Sequence, residues 1–346
     1  MPQTISIEAF LKYAESHPII DVRSEGEFAH SCIPTAINIP LFTNEERKIV
    51  GTLYKQEGRQ PAILKGLELV GPKMKSLVEN INAIKNNGTF LMYCWRGGMR
   101  SASVAWLLET YGYKVFVLKG GYKSFRKIIL NSFESPIKLV ILGGRTGTGK
   151  TLLLEKLAEK NQQIIDLEKL ACHKGSAFGA LGEKEQPSQE QFENLLGLSI
   201  LSQKNNFWTW IEDESKMIGK KVIPQKFWNQ MRQAPVVYVD IPFEIRANYL
   251  LESYGKFSVE ALKGSIFKIK KRLGGLQTKL AVEAVEKNDL ETVCKICLAY
   301  YDKSYDFGLS QRENKQIEKI IFEEQNISAI ANELIKRITE NNLWKQ

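Results

Sequence analysis

The feature that most constrains the fold of this chain is an apolar run that leads directly into a glycine-rich loop. Residues 137–142 form a run suited to a central strand of a parallel sheet. The next loop has the pattern Gly-x4-Gly-Lys-Thr between Gly144 and Thr151, and a helical pattern occupies residues 152–160. This spacing, in the order strand, loop, helix, predicts a phosphate-binding loop (P-loop) in an α/β domain.

The chemistry of such a loop follows from its residue types. Its backbone N–H groups surround phosphate oxygens, the Lys150 ammonium neutralises their charge, and the Thr151 hydroxyl is a ligand for Mg²⁺. No tightly bound cofactor is expected, and Mg²⁺ is the candidate metal. The candidate phosphate-binding residues are Gly144, Arg145, Thr146, Gly147, Thr148, Gly149, Lys150 and Thr151.

Three further strand patterns fit the same domain, at residues 163–166, 207–212 and 236–240. Metal-orienting carboxylates lie at such strand ends, which makes Glu212, Asp213 and Asp240 candidates. The alternative is that they are ordinary solvated acids, and the sequence does not choose among them. Arg246 follows on a predicted helix, where many P-loop kinases have a phosphate-sensing arginine.

The segment at residues 166–179 combines one histidine, a lysine, two glycines and a phenylalanine. Such a loop suits contact with a substrate better than packing. Its histidine is either a general acid or a hydrogen-bonded loop residue. The candidates for substrate contact are Asp166, His173, Lys174, Ser176 and Phe178.

A second loop that suits an anion surrounds a cysteine. A strand pattern at residues 89–93 ends at Cys94, the next five residues include two glycines, and a helical pattern opens with Arg100 and Ser101. Backbone N–H groups, the helix dipole and the two arginines Arg96 and Arg100 favour the thiolate over the thiol. The cysteine is therefore predicted to be a nucleophile rather than a buried structural residue. Its predicted anion cradle comprises Trp95, Arg96, Gly97, Gly98 and Arg100.

Length and composition indicate a two-domain protein. The chain has 346 residues, 43% of them hydrophobic, and residues 131–136 have the composition of a linker between domains at 1–132 and 133–346. There is no apolar run of about 18 residues and no signal-peptide pattern. Five cysteines at irregular spacing then suggest reduced thiols and a cytoplasmic location.

The net charge of +9 favours a polyanionic partner, and one segment concentrates that charge. Residues 261–282 contain no acid. A solvated helix face is the usual explanation of a charge run, but charge of one sign beside two glycines also suits an RNA backbone. The candidate RNA-binding residues are Lys263, Lys268, Lys270, Lys271 and Arg272.

Several N-terminal segments resemble the rhodanese domain, and Cys94 falls where its active cysteine sits. They are residues 21–28, 33–40 and 114–122. Cys32 stands where rhodaneses commonly have histidine, and the five residues between Cys94 and Arg100 are one more than usual. That longer loop also matches the C-x5-R pattern of cysteine phosphatases, although Tyr93 replaces their usual histidine. Asp21 and Arg23 are interpreted as an ion pair that fixes a loop.

The chain as a whole resembles the tRNA 2-selenouridine synthase family. The matching segments are residues 44–47, 50–55, 67–73, 93–101, 166–168, 173–176, 178–179 and 212–215. The resemblance implies action on wobble-position 2-thiouridine in the tRNA anticodon arm. It implies S-geranylation with geranyl diphosphate, followed by exchange of the S-geranyl group for selenium from selenophosphate. It also implies that Cys94 is needed for selenium transfer, which a perselenide on this thiol would explain.

This resemblance leaves the role of the P-loop open between the diphosphate of geranyl diphosphate and ATP or GTP. Phe178 and the strand with Trp208 and Trp210 are expected to provide an apolar wall for a prenyl tail. A monomer is expected, with an enzyme that supplies selenophosphate as a partner and no membrane contact. Two other interpretations are a sulfurtransferase or phosphatase fused to a small-molecule kinase, and a non-catalytic tRNA-binding adaptor.

Overall fold

A computed structural model describes residues 2–85, 87–312 and 316–340. The chain divides into two compact units, each with its own parallel sheet. The N-terminal unit comprises Met1–Ser132 and Glu193–Gly197, and the C-terminal unit comprises Phe133–Phe192 and Leu198–Gln346.

The N-terminal unit is a five-stranded parallel sheet with the strand order β1-β5-β4-β2-β3. Its strands are β1 (Gln3–Ile5), β2 (Ile19–Asp21), β3 (Ile37–Asn38), β4 (Thr89–Tyr93) and β5 (Lys114–Leu118). Its helices are α1 (Ile7–Tyr13), α2 (Glu25–His30), α3 (Asn44–Gln56), α4 (Arg59–Val70), α5 (Met74–Asn82), α6 (Met99–Tyr111) and α7 (Gly121–Ser132), with a 3-10 turn at Gly71–Lys73.

The local sequence explains where the helices near the Cys94 loop begin. Ser24 and Thr43 precede α2 and α3, and each forms a capping box with a glutamate three residues later, Glu27 and Glu46. β4 is apolar after Thr89, and its other four residues are buried. An apolar strand of this kind is typical of the centre of a parallel sheet, so its carboxyl end carries Cys94 into the middle of the sheet edge.

The C-terminal unit has a second five-stranded parallel sheet, with the order β12-β11-β6-β8-β7. Its strands are β6 (Leu139–Gly143), β7 (Gln163–Ile165), β8 (Thr209–Glu212), β11 (Val236–Asp240) and β12 (Ile317–Ile321), and a separate hairpin pairs β9 (Met217–Ile218) with β10 (Lys221–Val222). The helices that follow the strands of this sheet are α8 (Lys150–Glu159), α9 (Leu167–Ala171), α10 (Gln189–Leu201), α11 (Gln225–Gln233), α12 (Phe243–Tyr254) and α16 (Ile327–Glu340).

Three consecutive helices between α12 and β12 form the helical part of this unit. They are α13 (Val259–Leu273), α14 (Gly275–Glu286) and α15 (Leu290–Ser310). A core cluster of their apolar side chains includes Leu262, Ile266, Ala281 and Val293, and Phe178 from the loop after α9 joins it. The predicted fold class is confirmed: two parallel-sheet α/β domains, the second with a helical C-terminal part. Within the residues that the structure describes, no helix is both long enough and apolar enough to cross a membrane.

The structure corrects one prediction that concerns the core. Trp208 and Trp210 were expected to line a prenyl pocket, but Trp210 is fully buried among Val140, Leu153 and Val237 in the core of the sheet, and Trp208 packs against the same cluster. Residues alternate between the two faces of a strand, so these two tryptophans share one face. That face is covered by α8 and α16 rather than open to a ligand.

Candidate active sites

Cys94 lies between the carboxyl end of β4 and the first turn of α6. Its side chain is buried, and its Sγ lies 3.2 Å from Ser101 Oγ and 4.0 Å from the Gly98 carbonyl oxygen. Gly98 is the N-cap residue of α6, so the sulfur sits beside the positive end of a helix dipole. The arrangement suits a nucleophile that holds an anionic group.

Two glycine segments determine the shape of the Cys94 loop. Gly97 has φ 63° and Gly121 has φ 58°, both in the left-handed region. A Cβ on Gly121 would lie 2.3 Å from the Cys94 carbonyl oxygen, and one on Gly97 would lie 2.4 Å from the Leu118 carbonyl oxygen. The Tyr122 N–H donates to the Cys94 carbonyl at 2.8 Å. The loop therefore keeps its form only with glycine at both positions.

The two arginines of the predicted cradle have different surroundings. Arg96 is exposed, whereas the Arg100 guanidinium donates to the Glu27 carboxylate at 2.8 Å, and Arg47 lies 3.7 Å from the same carboxylate. Burial favours the neutral form of Glu27, but the hydrogen bond and charge of Arg100 outweigh it and lower the pKa of Glu27. Arg100 is therefore partly neutralised and is not a free cation beside the sulfur.

Asp21 and Arg23 form the ion pair interpreted as fixing a loop. The Arg23 guanidinium donates to the Asp21 carboxylate at 2.6–3.0 Å and to the Ser31 carbonyl at 2.7 Å. Both side chains are buried, and the guanidinium stacks on the Tyr122 ring at 4.1 Å. Because both side chains are buried and engaged in these contacts, the pair stabilises the loop before β3 and does not bind a substrate.

Cys32 and Tyr93, two of the departures from familiar patterns, are both structural. Burial and the charge of Asp21 raise the pKa of the Cys32 thiol to about 11, so it is protonated at neutral pH. The buried Tyr93 hydroxyl accepts the Ile33 N–H at 3.1 Å. Among these side chains, only Cys94 has the setting of a nucleophile.

The P-loop joins β6 to α8 in the C-terminal unit. Lys150 Nζ donates to the Gly144 carbonyl at 2.9 Å, and the Thr151 hydroxyl donates to the Glu168 carboxylate at 2.9 Å. Arg145 points away from the loop and pairs with Asp306 at 2.8 Å. Lysine and threonine are thus held where phosphate oxygens and their cation would bind, while the arginine is engaged elsewhere.

Four carboxyl groups surround this end of the P-loop, and two of them, Glu168 and Glu214, were not predicted as site residues. Burial raises the pKa of Asp166 and Glu168, and it raises the pKa of Glu212 and Glu214 well above the usual range. The Glu168 N–H donates to Glu212 Oε1 at 2.8 Å, whereas the buried Glu212 Oε2 has no hydrogen-bond partner. The sequence signal that could have identified Glu168 and Glu214 is the acid-rich run that follows each of β7 and β8.

A cavity of about 700 Å³ opens between the P-loop and the helical part. Lys150, Thr151, Glu168 and Glu214 line one side, and Arg272 reaches it from α13. Other lining residues that the sequence predicted are Thr146, Gly147, Gly149, Asp166, Lys174, Ser176 and Asp213. The P-loop and the loop after α9 are thus brought together at one site.

A second, apolar cavity of about 60 Å³ adjoins the first. Thr146, Ser176, Leu250, Tyr254 and Tyr301 line both cavities. The remaining walls of the apolar cavity come from α12, α13, α15 and the loop after α9, through Phe178, Leu251, Gly255, Leu262, Leu290, Val293, Cys294, Cys297 and Leu298. A polar cavity that contains the P-loop lysine, beside an apolar cavity, suits a ligand with a phosphate head and a hydrocarbon tail.

Comparison with known proteins matches both units. The family model described as tRNA 2-selenouridine synthase AAA domain matches residues 137–337, and the rhodanese-like domain model matches residues 6–128. A tRNA 2-selenouridine synthase of Shewanella denitrificans is 36% identical over 89% of this chain and 92% of the relative. The chain belongs to the tRNA 2-selenouridine synthase family. Relatives of the same name from Psychromonas ingrahamii and Sulfurovum sp. are each 34% identical, over 86% of this chain and 89% and 90% of theirs.

Arg246 and Asp240 are among the predicted site residues of this tRNA 2-selenouridine synthase family member that do not line the P-loop cavity. Arg246 is buried and bonds to the Thr146 and Ile241 carbonyls at 2.9 Å and to Asp302 at 2.8–2.9 Å. Asp240 pairs with Lys319 at 2.7 Å. Arg246 therefore holds the P-loop backbone from behind, and its guanidinium is not available to a phosphate in this arrangement.

His173 and Asp213, two further predicted residues, are held by the surrounding structure. His173 is buried and its Nδ1 has no hydrogen-bond partner; burial and the charge of Lys268 lower its pKa. Asp213 lines the P-loop cavity but accepts hydrogen bonds from Tyr305 at 2.8 Å and from Arg312. In the described residues, no three histidine, cysteine or acidic side chains are placed to hold a metal ion.

The basic residues predicted to bind RNA all lie on α13, but on different sides. Arg272 faces the P-loop cavity, and Lys268 is close enough to His173 to act on its pKa. Lys263 pairs with Glu286. Lys270 and Lys271 are exposed and have no ion pair among the described residues. Their charges are therefore the most available to a polyanion.

Proposed function

We propose that this chain converts wobble-position 2-thiouridine in tRNA to 2-selenouridine in two steps. S-geranylation by geranyl diphosphate comes first, and exchange of the S-geranyl group for selenium from selenophosphate follows. The observation that carries the proposal is the apolar cavity beside the P-loop cavity, because geranyl diphosphate is a diphosphate with a hydrocarbon tail. Membership of the tRNA 2-selenouridine synthase family supports it.

In the alkylation step, the P-loop holds the diphosphate. Its backbone N–H groups and Lys150 Nζ stabilise negative charge, which increases on the leaving pyrophosphate as the C1–O bond breaks. The sulfur of 2-thiouridine donates the electron pair that forms the new C1–S bond, and the base loses its N3 proton to water. The loop thus acts on pyrophosphate much as related loops act in phosphoryl transfer, and no nucleotide is consumed.

The geranyl tail extends towards the apolar cavity, which at about 60 Å³ holds only part of the chain unless its walls move. Leu250, Tyr254 and Tyr301 line both cavities and would contact the first carbons of the tail, and Leu262 and Val293 lie further along its path. Removing such a tail from water is favourable by about 25 cal/mol per Å² of apolar surface. The apolar cavity therefore favours binding of a prenyl diphosphate over binding of inorganic diphosphate.

In the selenation step, Cys94 is the nucleophile that frees selenium from selenophosphate: its thiolate attacks phosphorus, an S–P bond forms as the P–Se bond breaks, and selenide leaves without a change of oxidation state. The sulfur lies beside Ser101 Oγ and the N-terminus of α6, where an anionic adduct would be stabilised. Selenide then forms the C2–Se bond as the C2–S bond breaks, geranyl thiol leaves the nucleoside, and water cleaves the S–P bond to return the Cys94 thiol and phosphate. A cytoplasmic location and a monomeric state remain predictions.

Nucleoside mass spectrometry of tRNA treated with the purified protein tests the function. With geranyl diphosphate alone, S-geranyl-2-thiouridine should accumulate, and selenophosphate should then convert it to 2-selenouridine. Thiosulfate:cyanide transfer and p-nitrophenyl phosphate hydrolysis without RNA are the matched controls for a generic sulfurtransferase or phosphatase. The proposal would be contradicted if the protein turned over substrate in either assay while the treated tRNA remained unmodified.

A further inference from the structure

The outer face of α13 has an aromatic side chain in the middle of its exposed charges. Phe267 is 51% exposed. Lys263, Lys270 and Lys271 lie four residues before it, three after it and four after it, and residues at these spacings are neighbours on a helix surface. The opposite side of the helix buries Leu262 and Ile266 in the core. Phe267 therefore contributes little to that core and stands in a basic environment.

The next helix continues this composition. Leu276 and Leu280 of α14 are 70% and 42% exposed, and Lys279 lies between them. No acid occurs from residue 261 to residue 282, although Lys263 pairs with Glu286 and Lys279 lies 3.8 Å from Glu283. Flat or bulky apolar groups interleaved with ammonium groups fit a ligand that has both phosphates and apolar faces. Unpaired nucleotides have both, because their bases stack on aromatic rings while their phosphates pair with cations.

The position of the helix favours RNA over other anionic partners. Arg272, on the other side of α13, lines the P-loop cavity. In the proposed function an anticodon-loop nucleotide must enter that cavity for alkylation, so the neighbouring nucleotides must pass close to this helix. A stacking residue there would hold the loop in an opened form.

We infer that Phe267 is a stacking platform for an unpaired base of the tRNA loop, with Lys270 and Lys271 on the adjacent phosphates. This inference rests on the proposed function and names the contact through which the RNA loop is held. It assigns specificity for unpaired RNA to one ring, while the lysines provide attraction that is independent of sequence.

The test compares the affinities of Phe267→Ala, Phe267→Trp and the wild type for two RNA probes. One probe is a synthetic anticodon stem-loop and the other is a fully paired RNA duplex of the same length. Phe267→Ala should weaken stem-loop binding about 5- to 140-fold, the usual range for loss of one base stack, and should leave duplex binding and the salt dependence nearly unchanged. Phe267→Trp should retain stem-loop affinity.

Phe207→Ala is the matched control. Phe207 is 60% exposed and lies two residues before β8, at the end of the sheet opposite the P-loop, so its removal should not affect either probe. Unchanged stem-loop affinity in folded Phe267→Ala would overturn the inference, as would an equal loss on the duplex. A wild-type protein that bound neither probe would instead contradict the proposed function, so the two failures are distinguishable.

Discussion

At the scale of single residues, the Cys94 thiol should separate the two proposed chemical steps. Cys94→Ala removes the nucleophile but leaves the P-loop unit intact, so S-geranyl-2-thiouridine should accumulate in tRNA while 2-selenouridine falls below about 1% of the wild-type yield, as is usual when a nucleophile is removed. Mass spectrometry of nucleosides measures both products. Cys32→Ala, which removes a protonated thiol, is the matched control and should retain both steps. If the folded Cys94→Ala variant lost geranylation as completely as selenation, the separation of the two steps between Cys94 and the P-loop would be contradicted.

Leu250 tests the path of the prenyl tail, because it lines both cavities of the C-terminal unit. Leu250→Trp narrows the passage between them. It should raise the KM for geranyl diphosphate about tenfold, which corresponds to about 1.4 kcal/mol, and should affect the shorter dimethylallyl diphosphate less. Steady-state alkylation with the two donors measures the difference. An equal rise in KM for both donors would show that the tail does not use this passage.

Glu212 gives a stability prediction with a defined pH dependence. Burial raises its pKa well above the ordinary value of 4.5, and its Oε2 is unpartnered. A carboxyl group with a raised folded-state pKa stabilises the fold below the unfolded pKa, and that contribution is lost as the pH rises towards the folded value. Glu212→Gln should therefore match the wild type near pH 4.5 and be more stable at pH 8, by about 1–3 kcal/mol.

Thermal unfolding without Mg²⁺ at both pH values measures this effect. Each kcal/mol added to the free energy of unfolding should raise Tm by about 2–4 °C in a domain of this size. Glu324→Gln is the control, since this exposed glutamate should show no such dependence. A gain in Tm that was the same at pH 4.5 and pH 8 would show that deprotonation of Glu212 is not the cause.

At the scale of elements, the unpaired and the paired lysines on the outer face of α13 should make different contributions to tRNA binding. Lys270→Gln with Lys271→Gln should reduce the slope of log affinity against log salt by about 0.7–0.9 for each phosphate that is no longer neutralised by an ammonium group. Lys263→Gln should change it less, because Lys263 is paired with Glu286. Filter binding across a salt series measures the slopes. If the slopes of all variants equalled that of the wild type, these lysines would form an ordinary solvated helix face and not an RNA-binding surface.

The sequence predicted those elements whose signals are local. The apolar run before Gly144 and the glycines around Cys94 each occupy fewer than about ten consecutive residues, so the strand–loop–helix order can be read directly. β12 was not predicted, since it pairs only with β11 and has no motif of its own. The partners of Arg100 and Arg246 were also missed. They lie 73 and 56 residues away in the chain, and no local pattern encodes a contact at that distance.

At the scale of the whole molecule, the chain combines two glycine-rich loops that are predicted to bind anions, one in each compact unit, and a cysteine predicted to be a nucleophile lies in the first of them. The sequence predicted both loops but not the cavity beside the P-loop, because its walls come from segments that meet only in the fold. The Ala177 N–H donates to the Tyr301 hydroxyl across 124 residues of sequence. What fills that cavity decides whether the C-terminal unit works as a nucleotide-driven enzyme or as a prenyltransferase.

The last prediction separates these two roles. Lys150 Nζ, held by the Gly144 carbonyl, is a point charge suited to a diphosphate, and the prenyl donor already provides one. Geranylation by the whole protein should therefore proceed at full rate after ATP and GTP are removed enzymatically. Lys150→Ala should raise the KM for geranyl diphosphate and slow alkylation about 100-fold or more, the usual effect of losing one charge-stabilising group. Selenation of tRNA that was geranylated beforehand should continue in this variant, and Lys156→Ala on the exposed side of α8 should behave as wild type. A strict requirement for added nucleotide in the alkylation step would contradict the prenyltransferase role, because the diphosphate of the donor would then not be the anion that the P-loop holds.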